Sequence, residues 1–292
     1  MNNLYTVDMH LHTTASDGSD TPEALIAKAK SIGLKTVSIT DHDTLGGLLS
    51  VLDGGDDAIE IITGIEFSCN TSEKHGFDCH ILGYGFDPYN EEIIRVIEHG
   101  RTMRFVKFEA RVKYLADNFG IILSGAEIQE LRSYNAVAKP HIARILMSRG
   151  LADSVTDAIA KYLKGDDFPD DRIDAREAID AIHLAGGIAV YAHPLGGELE
   201  RRLTPCELTA RVKTLFEMGI DGLEAYYSRY SSFDRELVLG VARDMGLCVS
   251  AGSDYHGENK TVKLGELSSD GIEVSDLDVT ALVKIRNRKV IV

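Results

Sequence analysis

Six short sets of histidines and carboxylates recur along this 292-residue chain, and most of them directly follow an apolar run. Asp8-Met-His10-Leu-His12 comes first and Gly252-Ser-Asp254-Tyr-His256 last. Between them stand Thr40-Asp-His42-Asp-Thr44, Gly64-Ile-Glu66, Asp78-Cys-His80 and Ala192-His193-Pro194. A fold that puts these to use must gather the ends of many strands at one place, with both ends of the chain beside each other. One His-x-His pair says little, but an ordered series in this context points to a polynuclear metal site and to metal-dependent hydrolysis.

The apolar runs are read as strands. Leu4–Asp8 leads to His10, Lys35–Ile39 to Asp41-His42, and Ile59–Ile62 continues to Glu66. Phe77–Tyr84 carries His80, Ile188–Tyr191 delivers His193, Gly222–Tyr226 is a further strand, and Leu247–Ser250 delivers Asp254 and His256. Helical patterns separate many of them. Thr21-Pro22 caps and opens one that Gly33 ends, and others cover 175–185, 207–218 and 233–245. Strand–helix alternation predicts parallel strands with right-handed crossovers. Polar residues just past the C-terminal ends of such strands mark the active-site face. From 91 to about 163 the alternation stops, and only helices are expected, over 91–118, 140–148 and 154–163. This predicts a barrel-like catalytic unit of residues 1–90 and 170–292 with a helical insertion at 91–169.

His10 and His12 are two apart, so an extended backbone projects both to one face. With Asp17, His42, Glu66, His80, His193, Asp254 and His256 they make nine candidate ligands, more than one ion needs and suited to two or three. Imidazoles mixed with carboxylates favour Mn, Fe or Zn over a purely oxygen-ligated Mg site. Clustered divalent ions clamp a phosphoryl group and lower the pKa of bound water, so no protein nucleophile is required. Ser253 is accordingly read as a turn residue, and one of Asp41 and Asp43 as a candidate to orient His42. His75, His99 and His183 lie outside the motifs and are expected on the surface.

These motifs, with Ser16-Asp17-Gly18 and His80-Ile-Leu-Gly83, resemble those of the PHP (polymerase and histidinol phosphatase) family over nearly the whole chain. The resemblance implies a distorted (β/α)7 barrel interrupted by a small helical domain. It also implies the nine residues above as ligands of a Mn, Fe or Zn cluster, and hydroxide held by the metals as the nucleophile. The stand-alone members acting on nucleoside 3′,5′-bisphosphates and short 5′-phosphorylated oligonucleotides look most similar. In the nucleotide-cleaving members an Arg-x-His-x-x-Arg motif holds a substrate phosphate. Here Lys139-Pro-His141-Ile-Ala-Arg144 stands in its place, with a helix N-terminus at Pro140 and a lysine that keeps the charge but not the bidentate geometry. Another departure is Tyr226-Tyr-Ser-Arg229-Tyr230, where relatives often carry a histidine; stacking on a base, holding a phosphate and plain strand packing all remain open for it.

A formal net charge of −15 argues against tracking along duplex nucleic acid and for a small nucleotide or short single-stranded substrate. The competing readings are a histidinol-phosphate or other sugar-phosphate phosphatase and a non-catalytic metal module. Four cysteines without CxxC spacing are expected as free thiols, and no run of about 20 apolar residues could cross a membrane. A cytoplasmic location is expected, and no heptad seam or basic groove points to a protein partner.

Overall fold

The computed structural model describes residues 6–289 except 53–57, 72–75, 135–136, 166–167, 199 and 273; His75 thus lies outside the described residues. The chain opens with β1 (Val7–Leu11), α1 (Pro22–Ser31), β2 (Thr36–Ile39), α2 (Gly46–Leu52) and β3 (Glu60–Ile61). Thr21 caps α1 by accepting from the Ala24 N–H, and Pro22 fills the first helical position, where no N–H is needed. β1, β2 and β3 pair in parallel as one sheet.

A second sheet begins with β4 (Gly64–Asn70) and β5 (Asp78–Tyr84), an antiparallel pair. Four helices follow: α3 (Glu91–Phe119), α4 (Gly125–Ser133), α5 (Lys139–Ser148) and α6 (Val155–Tyr162). The chain then returns through β6 (Ile173–Asp174), α7 (Ala175–Leu184), β7 (Ile188–Tyr191), α8 (Pro205–Glu217), β8 (Gly222–Tyr227), α9 (Ser232–Asp244), β9 (Cys248–Gly252) and α10 (Thr280–Lys289). The second sheet runs β6-β4-β5-β7-β8-β9.

Two expectations are corrected here. Ile59–Glu66 is not one strand: β3 ends at Ile61 and β4 starts at Gly64, in different sheets. At Gly64 a Cβ would lie 2.0 Å from Ser38 Oγ and 2.8 Å from the Ile39 carbonyl, so only glycine lets the chain pass this close to β2. Nor are all the strands parallel. β5 runs antiparallel to both β4 and β7. Only a few residues separate β4 from β5 in sequence, enough for an antiparallel neighbour, whereas parallel neighbours need a long crossover.

The sheets meet at two places that matter for function. Leu11 bridges to Tyr255, reinforced by the His12 N–H on the Tyr255 carbonyl and the Asp254 N–H on the His10 carbonyl. His42 bridges to Glu66, with the Asp43 N–H on the Glu66 carbonyl. Helices α3–α6 have a hydrophobic cluster of their own, built on Phe108, Leu115, Leu131, Ile142, Leu146 and Leu163. α4 and α2 escaped the sequence reading because each is short and offers one weakly apolar face.

Where β9 passes β1, a Cβ on Gly252 would sit 2.1 Å from His10 Cβ and 2.7 Å from Glu224 Oε1. Gly252→Ala should therefore destabilise by more than about 2 kcal/mol in urea unfolding. Gly240→Ala, on α9 with nothing within 4 Å, should instead stabilise by about 0.5–1 kcal/mol.

Candidate metal centre

The centre is organised around Glu66, a fully buried carboxylate in the middle of β4. Its Oε2 lies 3.2 Å from His10 Nε2, 3.1 Å from His12 Nε2 and 3.2 Å from His42 Nδ1. Its Oε1 lies 2.9 Å from His80 Nδ1 and 3.4 Å from His193 Nε2. Asp254 Oδ1 is 3.6 Å from His10 Nε2 and 3.5 Å from His12 Nε2. Asp17 Oδ1 faces His256 Nε2 at 3.2 Å. All nine expected ligands are thus brought together. They arrive from β1, the loops after β1, β2, β7 and β9, the interior of β4, and the first half of the antiparallel β5. Glu66, expected at the end of a strand, therefore lies inside one, and His80 lies within its strand as read.

Within this cluster three groups have ligand atoms mutually within 4.8 Å: His12 with Asp17, His42 and His256; His10 with His12 and Glu66; and His42 with Glu66 and His80. Metal bonds of about 2.0–2.2 Å set neighbouring ligand atoms roughly 3–3.5 Å apart, which is the spacing seen here. His10 Nε2, both nitrogens of His12, His42 Nδ1 and Glu66 Oε2 are buried without a hydrogen-bond partner. Buried polar atoms left bare in a polar core are costly unless something else fills their lone pairs. The donor set and these bare atoms fit divalent cations.

The tautomers fit as well. His10 Nδ1–H donates to Glu224 Oε1 at 2.8 Å, which turns Nε2 towards Glu66. Burial opposes protonation of this ring, but Glu224, Glu66 and Asp254 hold it well above the usual imidazole range, and a bound cation would take the place of the Nε2 proton. His256 Nδ1–H donates to the Asp254 carbonyl at 2.8 Å and leaves Nε2 facing Asp17. Burial, reinforced by His256 and His42, holds His12 well below the usual imidazole range. Burial would raise the Glu66 carboxyl, but His10, His42 and His80 hold it well below the usual carboxylate range. Neutral imidazole beside ionised carboxylate is the form that ligates metal.

Several positioning residues were not legible in the sequence. Glu224 is wholly buried on β8, and its other oxygen accepts from the His193 N–H at 2.7 Å. A lone acid within Gly222-Leu-Glu-Ala was the available signal. Tyr227 donates its hydroxyl to Asp254 Oδ2 at 3.0 Å, and Lys260 Nζ donates to the same oxygen at 2.7 Å. Asp43, His193 and Asp254 are the only described non-glycine residues with positive φ, and all three lie in this centre. Backbone held in that region is strain kept where geometry matters.

Neither Asp41 nor Asp43 orients His42. Asp41 accepts from the Thr13 N–H and hydroxyl and from Ser16 Oγ, pinning the loop that carries Asp17. Asp43 takes Arg104 from α3, whose guanidinium also reaches Ser68 Oγ at 2.9 Å. Ser253 is a turn residue, its Oγ accepting from the Tyr255 N–H. Tyr227 and Tyr230 are buried, the Tyr230 hydroxyl accepting from the Leu195 N–H, and Arg229 pairs with Glu198 at 2.9 Å. His99 and His183 face Glu177 and Asp221 away from the centre.

His141 on α5 accepts the Ala138 N–H at Nδ1 and donates from Nε2 to the Ser16 carbonyl at 2.9 Å, so both ring nitrogens are engaged. Lys139 and Arg144 flank it, both partly exposed.

A model of the PHP domain matches residues 8–194. The chain belongs to the PHP domain family. It is 33% identical over 267 residues to the 5′-3′ exoribonuclease Rnm of Escherichia coli, covering 88% of this chain and 87% of the relative. It is 29% identical to a phosphoribosyl 1,2-cyclic phosphate 1,2-diphosphodiesterase of Eggerthella lenta (86% and 94%). It is 27% identical to a 3′,5′-nucleoside bisphosphate phosphatase of Chromobacterium violaceum (86% and 87%). Its fold matches a structure from Bifidobacterium adolescentis described as that of a metal-dependent phosphoesterase, with a TM-score of 0.78, 28% identity and coverage of 97% and 96%. This PHP chain is thus an α/β metal-dependent hydrolase of phosphate esters. No helix among the described residues is long and apolar enough to cross a membrane.

Two outcomes follow for the PHP centre. Glu224→Gln should weaken metal affinity about 10–100-fold, read by chelator competition, because His10 loses its charged orienting partner. Burial, reinforced by Arg144, pushes His141 down to about 4 from 6.5. The stability contributed by neutral His141 is therefore full above pH 6.5 and lost as pH falls towards 4. The urea-derived stability gap between metal-free wild type and His141→Gln should shrink by about 2 kcal/mol on going from pH 7 to pH 5.

Proposed function

We propose that this chain hydrolyses phosphate esters of small nucleotides, with nucleoside 3′,5′-bisphosphates and short 5′-phosphorylated oligonucleotides as its substrate class. The carrying observation is the convergence of five histidines on the buried Glu66 carboxylate, beside a helical lobe that offers Lys139 and Arg144. We read His10, His12, Asp17, His42, Glu66, His80, His193, Asp254 and His256 as the ligands of two or three Mn, Fe or Zn ions. Such ions, when bound, acidify water and offset charge on a phosphoryl group. The side chains then have defined duties. Glu224 and the Asp254 carbonyl hold His10 and His256 in the ligating tautomer. Thr13 and Ser16 on Asp41 fix the loop bearing Asp17. No side chain is needed as nucleophile: Ser253 belongs to a turn, and burial pushes the Cys79 thiol up to about 12.

The substrate class rests on charge and on the relatives. A net charge of −15 disfavours duplex partners, and two of the named relatives act on RNA or on a nucleoside bisphosphate. We place the second substrate phosphate at Lys139 and Arg144, with His141 anchoring their helix to the Asp17 loop through the Ser16 carbonyl. The helical lobe, residues 91–169, is read as an insertion in a distorted (β/α)7 barrel. Support for that barrel comes from the Leu11–Tyr255 and His42–Glu66 bridges, which join the two sheets at two points.

The test is phosphate release from adenosine 3′,5′-bisphosphate and from a 5′-phosphorylated trinucleotide after chelation and addition of Mn²⁺. Activity should require the metal and exceed that on histidinol phosphate. Arg144→Ala should lower kcat/KM about 10–100-fold, mostly through KM. Turnover of histidinol phosphate alone would overturn the substrate assignment, and full activity of Arg144→Ala the role of the lobe.

A further inference from the structure

Lys260 stands on the loop after β9, just past a single 3-10 turn at Gly257–Asn259. Its ammonium lies 2.7 Å from Asp254 Oδ2, which also accepts the Tyr227 hydroxyl, while the other oxygen of Asp254 faces His10 and His12. The side chain is 22% exposed and lines a small cavity with His42, Glu66, His80, His193, Glu198, Glu200 and Asp254. A lysine carries three N–H donors. One is spent on Asp254, and the cavity wall is where the others have room to point.

Electrostatics make this placement informative. Asp17, Glu66, Asp254 and Glu224 bring four carboxylates to the centre, and Glu198 and Glu200 line the same cavity, Glu198 paired with Arg229 and Glu200 4.0 Å from His193 Nδ1. Three divalent cations would exceed the negative charge that Arg229 leaves unpaired, and an ammonium set among them is unfavourable unless an anion comes between. Asp254 has no need of the lysine to stay oriented, since Tyr227 already holds the same oxygen. The inference rests on the phosphoesterase reading above and deepens it.

We propose that Lys260 is a substrate-contacting residue that donates to a non-bridging oxygen of the phosphoryl group undergoing hydrolysis. Asp254 thereby links the metal ligands on one side to the anion-gripping ammonium on the other. In the transition state charge is spread over the three equatorial oxygens, and a fixed ammonium in a poorly solvated cavity, placed for that planar geometry, stabilises it more than it stabilises the ground state. This grip is distinct from that of Lys139 and Arg144, which stand on α5 and would hold a second phosphate.

The experiment compares metal-loaded wild type with Lys260→Met and Lys260→Arg. Metal content is measured by mass spectrometry, the affinity for inorganic phosphate by calorimetry, and kcat and KM on adenosine 3′,5′-bisphosphate. Lys260→Met should keep the metal content of wild type, weaken phosphate about 10–100-fold and lower kcat about 10²–10³-fold. Lys260→Arg should recover part of the phosphate affinity. Unchanged phosphate affinity in Lys260→Met overturns the proposal, and so does loss of metal in parallel with phosphate, which would make Lys260 a positioning residue for Asp254. Should Lys260→Met fail to fold, wild-type-like phosphate affinity and kcat in Lys260→Gln would overturn it equally. A wild type whose phosphate binding depends on Lys260 but which turns over neither nucleotide would refute the substrate assignment and leave this inference standing.

Discussion

The buried carboxylate of Glu66 is the constraint on which the rest of the structure depends. Five imidazoles from four segments approach its two oxygens within 3.4 Å. An ionised carboxylate with no exposure costs several kcal/mol unless cations or strong donors surround it. Strand pairing, loop anchoring and chain reversal at β5 all bring those donors to one point. Without a positive partner the cluster would be an expensive polar hole in an apolar protein. With divalent ions it becomes a folding contribution, since a site assembled from both ends of the chain exists only in the native state.

Around that cluster lies a ring of residues that never need to touch a metal. Glu224 sets His10, the Asp254 carbonyl sets His256, and Tyr227 sets Asp254. Asp41 pins the Asp17 loop, while Arg104 and His141 tie the helical segment to Asp43 and Ser16. The same two ties explain how helices with their own apolar cluster act on the centre. They connect at the ligand-bearing loops, so any phosphate held at α5 is registered against the ligands through a short run of hydrogen bonds.

All nine candidate ligands were legible from residue type, spacing and position relative to apolar runs, and the structure brings every one of them to the cluster. His-x-His in an extended segment needs only period two, and Gly-Ser-Asp-x-His after an apolar run needs only a strand and a turn. The antiparallel course of β5 was not legible, because strand direction is set by which neighbour accepts the hydrogen bonds. Nor were Asp41 and Asp43 read correctly: adjacency to His42 suggested that one of them orients it, whereas each turns away to a partner 25 or more positions distant.

By itself, the sequence determined the set of candidate ligands, the interruption by helices from residue 91, the excess of negative charge and the family to which the chain belongs. Local rules suffice for these, because period, capping and side-chain chemistry are properties of short segments. Tertiary structure alone decided that Glu66 would be the hub, that Glu224 and Lys260 would join the centre, and that His141 would spend both nitrogens inside the protein. Each of these depends on contacts across tens to hundreds of residues, and a single buried charge in a strand or loop carries no local mark of the partner it will meet.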